Sequence, residues 1–189
     1  VLDCTFNVQN NLKERLDQLS FEAEIAVREG CKHLILSDKQ LSEKKAAVPM
    51  ILAFGAINSK LVNLGIRGFV SINVQTGEVL DTHSFAVLLG VGATTINPYL
   101  AFDSIYQRYE KKLFGKFSYE ECIQRYIKSV NNGLLKIMSK MGISVLSAYR
   151  GGCNFETVGL SRAVVAEYFP GMISRISGIG IFGIETKVK

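Results

Sequence analysis

The chain has 189 residues, of which 48% are hydrophobic and 21% charged, and a formal net charge of +5. A chain of this length and composition can bury a sizeable core, so we expect residues 1–189 to form a single domain or part of a larger one. No apolar run approaches the roughly 20 residues needed to cross a bilayer, and Val1 opens no signal peptide. We therefore expect no membrane partner and a cytoplasmic location. The basic residues are scattered without interleaved aromatic side chains, which disfavours nucleic acid as a partner.

Four cysteines lie far apart in the sequence, at Cys4, Cys31, Cys122 and Cys153. No two of them have the spacing of roughly two to four residues that places two thiolates on one zinc ion. Nothing in the sequence signals export, which disfavours a disulfide. We therefore interpret the cysteines as reduced, buried side chains that fill the core, and we expect no metal site.

The first half of the chain alternates helical patterns with short apolar runs. Apolar residues at helical spacing predict a helix over Asn11–Glu29. The run His33–Ser37 predicts a parallel strand covered on both faces, with Asp38 at its carboxyl end. A proline and a glycine then mark the ends of a helix over Pro49–Gly65, and Phe69–Val74 predicts the second strand.

The second half repeats the same alternation. Ser118 and Glu121 have the spacing of a capping box, which predicts the start of a long helix. Pro170 and Gly171 end the last helical pattern. We expect helices over Glu78–Leu89, Pro98–Phe114, Ser118–Met141 and Ser161–Tyr168, and strands over Thr94–Asn97 and Ile143–Leu146.

Four strands that alternate with helices require right-handed crossover connections. The sequence therefore predicts an α/β fold with about four mainly parallel strands, either half-barrel-like or a small open sheet. In both cases a ligand would lie at the carboxyl ends of the strands. The candidate contacts there, for a small anion or for an interface, are Asp38, Asn97, Ser147, Arg150 and Glu156.

Arg150 and Glu156 flank a glycine pair just beyond the predicted fourth strand. Backbone amides at such a turn can face an anion, with the Arg150 guanidinium as a fork for a carboxylate. A simple ion pair between Arg150 and Glu156, which ties the loop to the next helix, explains the same residues. We favour the ion pair.

Two further patterns carry little weight. Gly178, Gly180 and Gly183 match the dinucleotide pattern G-x-G-x-x-G, but SRIS is a poor core strand and only six residues follow Gly183. We expect neither the helix nor the acidic ribose partner of that motif, and interpret the glycines as a packing or flexible run. His33 and His83 lie on separate elements without a catalytic partner, which indicates structural or surface histidines.

Four longer segments are distributed over most of the chain, from residue 33 to residue 180. They are HLILSDK (His33–Lys39), THSFAVLLGVGATTINPYLAF (Thr82–Phe102), KIMSKMGISVLSAYRGGCNFETVGL (Lys136–Leu160) and YFPGMISRISGIG (Tyr168–Gly180). In the same order, they resemble the central domain of the large subunit of glutamate synthase. A colinear match of this length is far more specific than any single short motif.

The resemblance carries expectations about function. In that family an N-terminal cysteine hydrolyses glutamine, ammonia moves through an internal channel, and an FMN barrel reduces the 2-iminoglutarate formed from 2-oxoglutarate to glutamate. The resemblance implies that the central domain joins the amidotransferase and the FMN barrel, its two partners, and helps to wall the channel. The chain alone is then a support without turnover.

The resemblance places the family's reactive groups outside this chain. Val1 is no nucleophilic cysteine, Cys4 is internal, and the close-set cysteines of the family's iron-sulfur cluster are missing. We therefore expect no catalytic residue and neither FMN nor the cluster in this chain. Two alternatives stay open: a stand-alone module that binds phosphate or a dicarboxylate at the strand ends, and an enzyme that itself holds a flavin.

The chain also departs from the family pattern in places. Val145 stands where the pattern has Thr, Val91 replaces an aromatic residue, and Pro170 precedes Gly171. An Ala-Gln-aliphatic run is replaced by Gly152-Cys153-Asn154. These changes leave the core pattern intact.

Overall fold

A computed structural model describes residues 1–189, with eight strands and eight helices. The strands are β1 (Leu2–Asp3), β2 (Thr5–Asn7), β3 (His33–Ser37), β4 (Lys45–Ala47), β5 (Ser71–Gln75), β6 (Thr95–Asn97), β7 (Glu156–Leu160) and β8 (Ile173–Ile179). The helices are α1 (Leu12–Arg28), α2 (Met50–Asn63), α3 (Thr82–Val91), α4 (Tyr99–Glu110), α5 (Tyr119–Lys140), α6 (Leu146–Tyr149), α7 (Arg162–Tyr168) and α8 (Ile181–Val188). No helix combines the length and the apolar character that a membrane span requires.

Strands β1, β3, β5 and β6 form one parallel sheet, and their order across the sheet follows their order in the chain. Right-handed crossovers that always step to the next strand keep the connecting helices on one face. Helices α1, α2 and α3 therefore cover the same face of the sheet. The predicted α/β fold with four parallel strands is confirmed, as an open sheet without barrel closure. A separate antiparallel pair, β2 with β4, lies outside this sheet.

The fourth strand of the sheet is not the predicted one. The strand prediction for Ile143–Leu146 is wrong. The residues between α5 and the short helix α6 pair with no strand, and Leu146 is the first residue of α6. Ile143 instead packs against Met138 and Tyr149, which explains its apolar character. The sheet is completed by β1 at its edge, where Leu2 lies beside Leu36.

The main core lies between the sheet and its helices. Leu34, Leu36, Ile72 and Val74 point toward the helices and are at most 2% exposed. Burying each such side chain stabilises the fold by about 1.5–3 kcal/mol. Helix α1 is confirmed and buries residues at helical spacing. Its buried members are Leu12, Leu16, Leu19, Ala23 and Val27.

The opposite face of the sheet is polar and largely uncovered. The Ser37 hydroxyl donates to Gln75 Oε1 at 2.8 Å, and the Thr95 hydroxyl donates to Asn73 Oδ1 at 2.7 Å. On the same face His33 and Ile35 are exposed, so the prediction that β3 is covered on both faces is wrong. Parallel sheets are normally covered on both faces, and this face is free for another surface.

Helix boundaries follow local capping chemistry. The capping box at the start of α5 is confirmed, because Ser118 Oγ accepts from the amide of Glu121 and Glu121 Oε2 accepts from the amide of Ser118. Helix α3 begins later than the predicted Glu78, because Asp81 accepts from the amide of Ser84 at 2.9 Å and fixes the start. Side chains that accept from orphan amides in this way set where a helix begins.

The unit formed by β7, α7, β8 and α8 packs on the outer side of the helix layer. Helix α7 reaches α2 at Gly55, where a Cβ atom would lie 2.7 Å from the Tyr168 carbonyl oxygen. Helix α8 is tied to α1 by Glu185, which accepts from the Leu12 amide at 2.9 Å. The expectation that no helix follows the glycine run is wrong, since β8 leads through Gly180 into α8.

Candidate functional site

The carboxyl ends of β3 and β5 meet at Asp38, as the sequence predicts for a parallel sheet. The Asp38 side chain is 1% exposed. Its carboxylate accepts from the Thr76 hydroxyl at 2.5 Å and from the Gly77 amide at 3.2 Å. We call Asp38, Thr76, Gly77 and Tyr99 the strand-end cluster. Charge-assisted hydrogen bonds of this kind hold the ends of two strands in one arrangement.

Tyr99 closes the cluster from the start of α4. Burial, together with the nearby Asp38 carboxylate, raises the pKa of Tyr99 to about 12, so its hydroxyl keeps its proton at pH values where an ordinary tyrosine begins to ionise. The Lys39 ammonium lies 5.8 Å from the centre of the Tyr99 ring, within cation–π range. Nothing in the sequence pattern singles out Tyr99, because its role depends on β6 lying beside β5.

The charges at this edge suit donors and cations better than anions. Asp38 lies there as a buried carboxylate, and Glu78 follows one residue after Gly77. The Glu78 carboxylate accepts from the Met50 amide at 3.1 Å and so caps α2. Two acidic side chains engaged this way are unfavourable for an incoming phosphate or dicarboxylate, and the Lys39 ammonium lies beside them at the same edge.

Asn97 is the second predicted residue at this edge. It ends β6, its side chain is exposed on the open face, and its carbonyl oxygen accepts from the Thr76 amide at 3.0 Å. The structure therefore brings Asp38 and Asn97 to the same edge of the sheet, on neighbouring sides of Thr76.

Ser147 and Arg150 lie elsewhere. Helix α3 runs antiparallel to the strands, so its last residues lie at the amino-terminal edge of the sheet. The amide of Gly151 donates to the Gly90 carbonyl oxygen at 2.9 Å, which places the loop after α6 at that edge. The expected position of Ser147 and Arg150 at the strand carboxyl ends was wrong, because it rested on the strand that does not form. Both side chains are exposed.

Glu156 does not pair with Arg150. It begins β7, and its carboxylate lies 3.3 Å from Nε of Arg175 on β8. The favoured ion pair between Arg150 and Glu156 is therefore wrong, because the two strands of the outer unit bring Arg175 alongside instead. Whether Asp38, Asn97, Ser147, Arg150 or Glu156 contacts a ligand or a partner stays a prediction.

An apolar cavity of about 350 Å³ lies between the starts of α2 and α3 and the outer unit. Nine of its thirteen lining residues are hydrophobic, so the cavity favours small neutral molecules over ions. Its polar contributions come from His83, Glu156 and Thr157. The main apolar walls are Ile51, Leu52, Val87, Leu160, Met172 and Ile184. The sequence gives no sign of this cavity, because its walls come from segments far apart in the chain.

The four cysteines differ in burial. Cys4 and Cys122 are buried, Cys31 is half-buried, and Cys153 is exposed, so the prediction of four buried cysteines is wrong for Cys153. Burial raises the pKa of the Cys4 thiol to about 12, which makes it an inert core side chain.

Taken together, the sequentially ordered parallel strands and the helices on one face define an α/β protein with an open parallel sheet. Comparison with known families is specific: residues 1–161 match the family model described as the glutamate synthase central domain. The chain belongs to this family.

Curated relatives agree with this assignment. The chain is 53% identical over 190 aligned positions to the glutamate synthase [NADPH] large chain of Azospirillum brasilense, and 42% identical over 180 positions to that of Bacillus subtilis. It is 40% identical over 188 positions to the chloroplastic ferredoxin-dependent glutamate synthase of Spinacia oleracea. The alignments cover 99%, 95% and 94% of the chain, and 12% of each relative.

The residues of this chain do not fit the cofactors that the family implies. An iron-sulfur cluster needs several close thiolates, and no three His, Cys, Asp or Glu side chains lie together as a possible metal site. At the glycine run, Gly178 packs directly against the backbone of Gly159, where the phosphate of FMN would need open space. That FMN and the cluster are held outside this chain stays a prediction.

Proposed function

We propose that the chain is the central domain of a glutamate synthase large chain, where it joins the amidotransferase and the FMN barrel and walls part of the ammonia channel. In this proposal the whole protein converts glutamine and 2-oxoglutarate into two molecules of glutamate, in the cytoplasm. The chain alone supports the reaction and does not turn over substrate.

The apolar cavity is the observation that carries the channel role. Ammonia is small and neutral, so it crosses an apolar passage at little cost, whereas ammonium pays a large desolvation penalty. A passage with walls such as Leu52, Val87 and Met172 therefore retains ammonia in its reactive form. The cavity lies at the starts of α2 and α3, which is the same end of the sheet as the strand-end cluster.

The open polar face of the sheet supports the linking role. A domain whose parallel sheet is covered on one side only has a second side available for another domain. Hydrogen-bonding side chains such as Asn73 and Asn97 suit a polar interface of that kind, typical of contacts between domains of one chain. The anion-module alternative finds no support at the strand ends, where the buried Asp38 carboxylate lies.

A cavity-filling substitution tests the channel role. The protein to use is a chimaeric large chain, in which this chain replaces the matching segment of the Azospirillum brasilense protein. Val87→Phe adds bulk to the cavity wall. We expect glutamine hydrolysis to continue while ammonia escapes into solution, so that the glutamate formed from 2-oxoglutarate per glutamine hydrolysed falls several-fold.

Val62→Phe is the matched control, because Val62 lies on α2, is 52% exposed and does not line the cavity. It should leave the ratio of glutamate formed to glutamine hydrolysed unchanged. An unchanged ratio in the Val87→Phe protein would remove the channel role. Glutamate formed by the purified 189-residue chain from glutamine, 2-oxoglutarate and a reductant would overturn the claim that it has no turnover.

A further inference from the structure

Strands β7 and β8 form a two-stranded parallel sheet whose outward side is uncovered. In the register of this pair Val158 lies beside Ile176 and Glu156 lies beside Ile173. Val158, Ile173 and Ile176 are 64%, 57% and 61% exposed. We call these three residues, with the Glu156–Arg175 ion pair, the outer ribbon face. Glu156 and Val158 also line the apolar cavity, so the face begins at the rim of that cavity.

This arrangement is unusual for a parallel sheet. Parallel strands are almost always covered on both faces, and a sheet of only two strands has little stability by itself. The inner side carries Thr157, Ser174 and Leu160, which are half-buried against the rest of the chain. The outer ribbon face has no such cover, although its three apolar side chains are all β-branched. Such a patch marks an interaction surface.

We infer that the outer ribbon face is packed against an apolar surface supplied by the rest of the large chain. This inference rests on the proposed function. The chain spans 12% of the length of its relatives, so most of such a protein is available to supply the cover. The two charges on the face, Glu156 and Arg175, already neutralise each other at 3.3 Å, so the partner surface is apolar rather than charged.

Hydrogen exchange measures the cover directly. Peptides from β7 and β8 are compared in the 189-residue chain and in the chimaeric large chain. We expect their amides to exchange at least about tenfold more slowly in the chimaera, because packing suppresses local opening. Peptides from β5, which is paired on both edges, serve as the reference and should be slow in both proteins.

Substitution of the face provides the second measurement. Ile173→Ser combined with Ile176→Ser should leave the melting temperature of the 189-residue chain nearly unchanged, since both side chains are exposed and neither lines the cavity. In the chimaera the same change should restore fast exchange in β7 and β8. Phe21→Ser on α1 replaces a residue that is 59% exposed outside this face, and should leave the exchange of β7 and β8 unaltered.

The outcomes separate this inference from the proposed function. A chimaera that makes glutamate while β7 and β8 exchange as fast as in the short chain overturns the inference and leaves the function intact. Loss of glutamate synthesis with protected β7 and β8 supports the inference and counts against the function. A 189-residue chain that dimerises, and becomes monomeric with Ile176→Ser, would show that a second copy covers the face, and would also overturn the inference.

Discussion

Replacing Asp38 by alanine removes the group that holds the ends of β3 and β5 together. The carboxylate is fully buried and accepts from the Thr76 hydroxyl and the Gly77 amide. Hydrogen bonds to a charged group contribute about 1.5–3 kcal/mol each, and the buried Thr76 hydroxyl would lose its partner. Removing the carboxylate also removes its own cost of burial, so we expect a net loss of about 3 kcal/mol in the free energy of unfolding.

Urea unfolding followed by circular dichroism measures this loss. With a denaturant dependence of about 2 kcal/mol per molar urea, the midpoint should fall by about 1.5 M. Asp38→Asn keeps the shape and one acceptor oxygen, so it should lose less. Asp103→Ala removes an exposed aspartate of α4 and should change stability by no more than about 0.5 kcal/mol.

A double-mutant cycle with Thr76→Val identifies the interaction itself. If Asp38 and Thr76 stabilise each other, the losses from the two single changes should exceed the loss from the double change by about 1 kcal/mol or more. Strict additivity, or a loss below about 1 kcal/mol for Asp38→Ala, would refute the role assigned to the strand-end cluster.

Three further expectations concern other parts of the molecule. The Tyr99 pKa of about 12 lies above the ordinary value of 10.0, so the stabilisation it reflects is present below pH 10 and lost as the pH rises toward 12. Ultraviolet titration should show this late phenol and its loss in Tyr99→Phe. The Lys189 ammonium and then the Leu12 amide hold the pKa of Glu185 below its usual 4.5. Docking of α8 on α1 should therefore weaken as the pH falls below 4.5, which hydrogen exchange of the α8 amides measures. Glu185→Gln should abolish this pH dependence. Gly133→Ala places a Cβ atom 2.5 Å from Thr82 Cγ2, so it should lower the free energy of unfolding by about 1–2 kcal/mol in thermal denaturation. Adding Thr82→Ala should recover part of this loss. Full stability in the single variant would contradict the tight contact of α3 with α5.

The central layers of the fold are predictable because their local patterns agree with their environment. His33–Ser37 and the second apolar run are short, apolar and bounded by glycine or polar residues, and they form β3 and β5. The capping box at Ser118 is satisfied within four residues, so no distant contact is needed to recognise it.

The errors occur where distant contacts decide the outcome. A short apolar run such as Ile143–Leu146 has the same sequence pattern whether it packs in a sheet or against helices. Periodicity alone therefore does not distinguish a buried strand from a buried segment next to a helix. Strand β1 has two residues, too few to show any period. Strands β7 and β8 contain glycine, serine and arginine, and become strands only because they pair with each other across α7.

The candidate site is partly predictable for the same reason. Asp38 directly follows one predicted strand and Asn97 is the last residue of another, so the rule that strand carboxyl ends share one edge places them correctly. Thr76 and Tyr99 carry no such mark, because their roles require the register of neighbouring strands. Ser147 and Arg150 were placed by the same rule applied to a strand that does not exist.

The start of α2 links the strand-end cluster to the apolar cavity. Glu78, which follows Thr76 and Gly77 at the end of β5, accepts from the Met50 amide and fixes the first turn of α2. Ile51 and Leu52 of that turn are walls of the cavity. Because the buried carboxylate of Asp38 fixes the segment that carries Glu78, a polar network at the sheet edge sets the geometry of an apolar passage. Rigid support of this kind is what a wall needs, since a packed interior transmits small displacements instead of absorbing them.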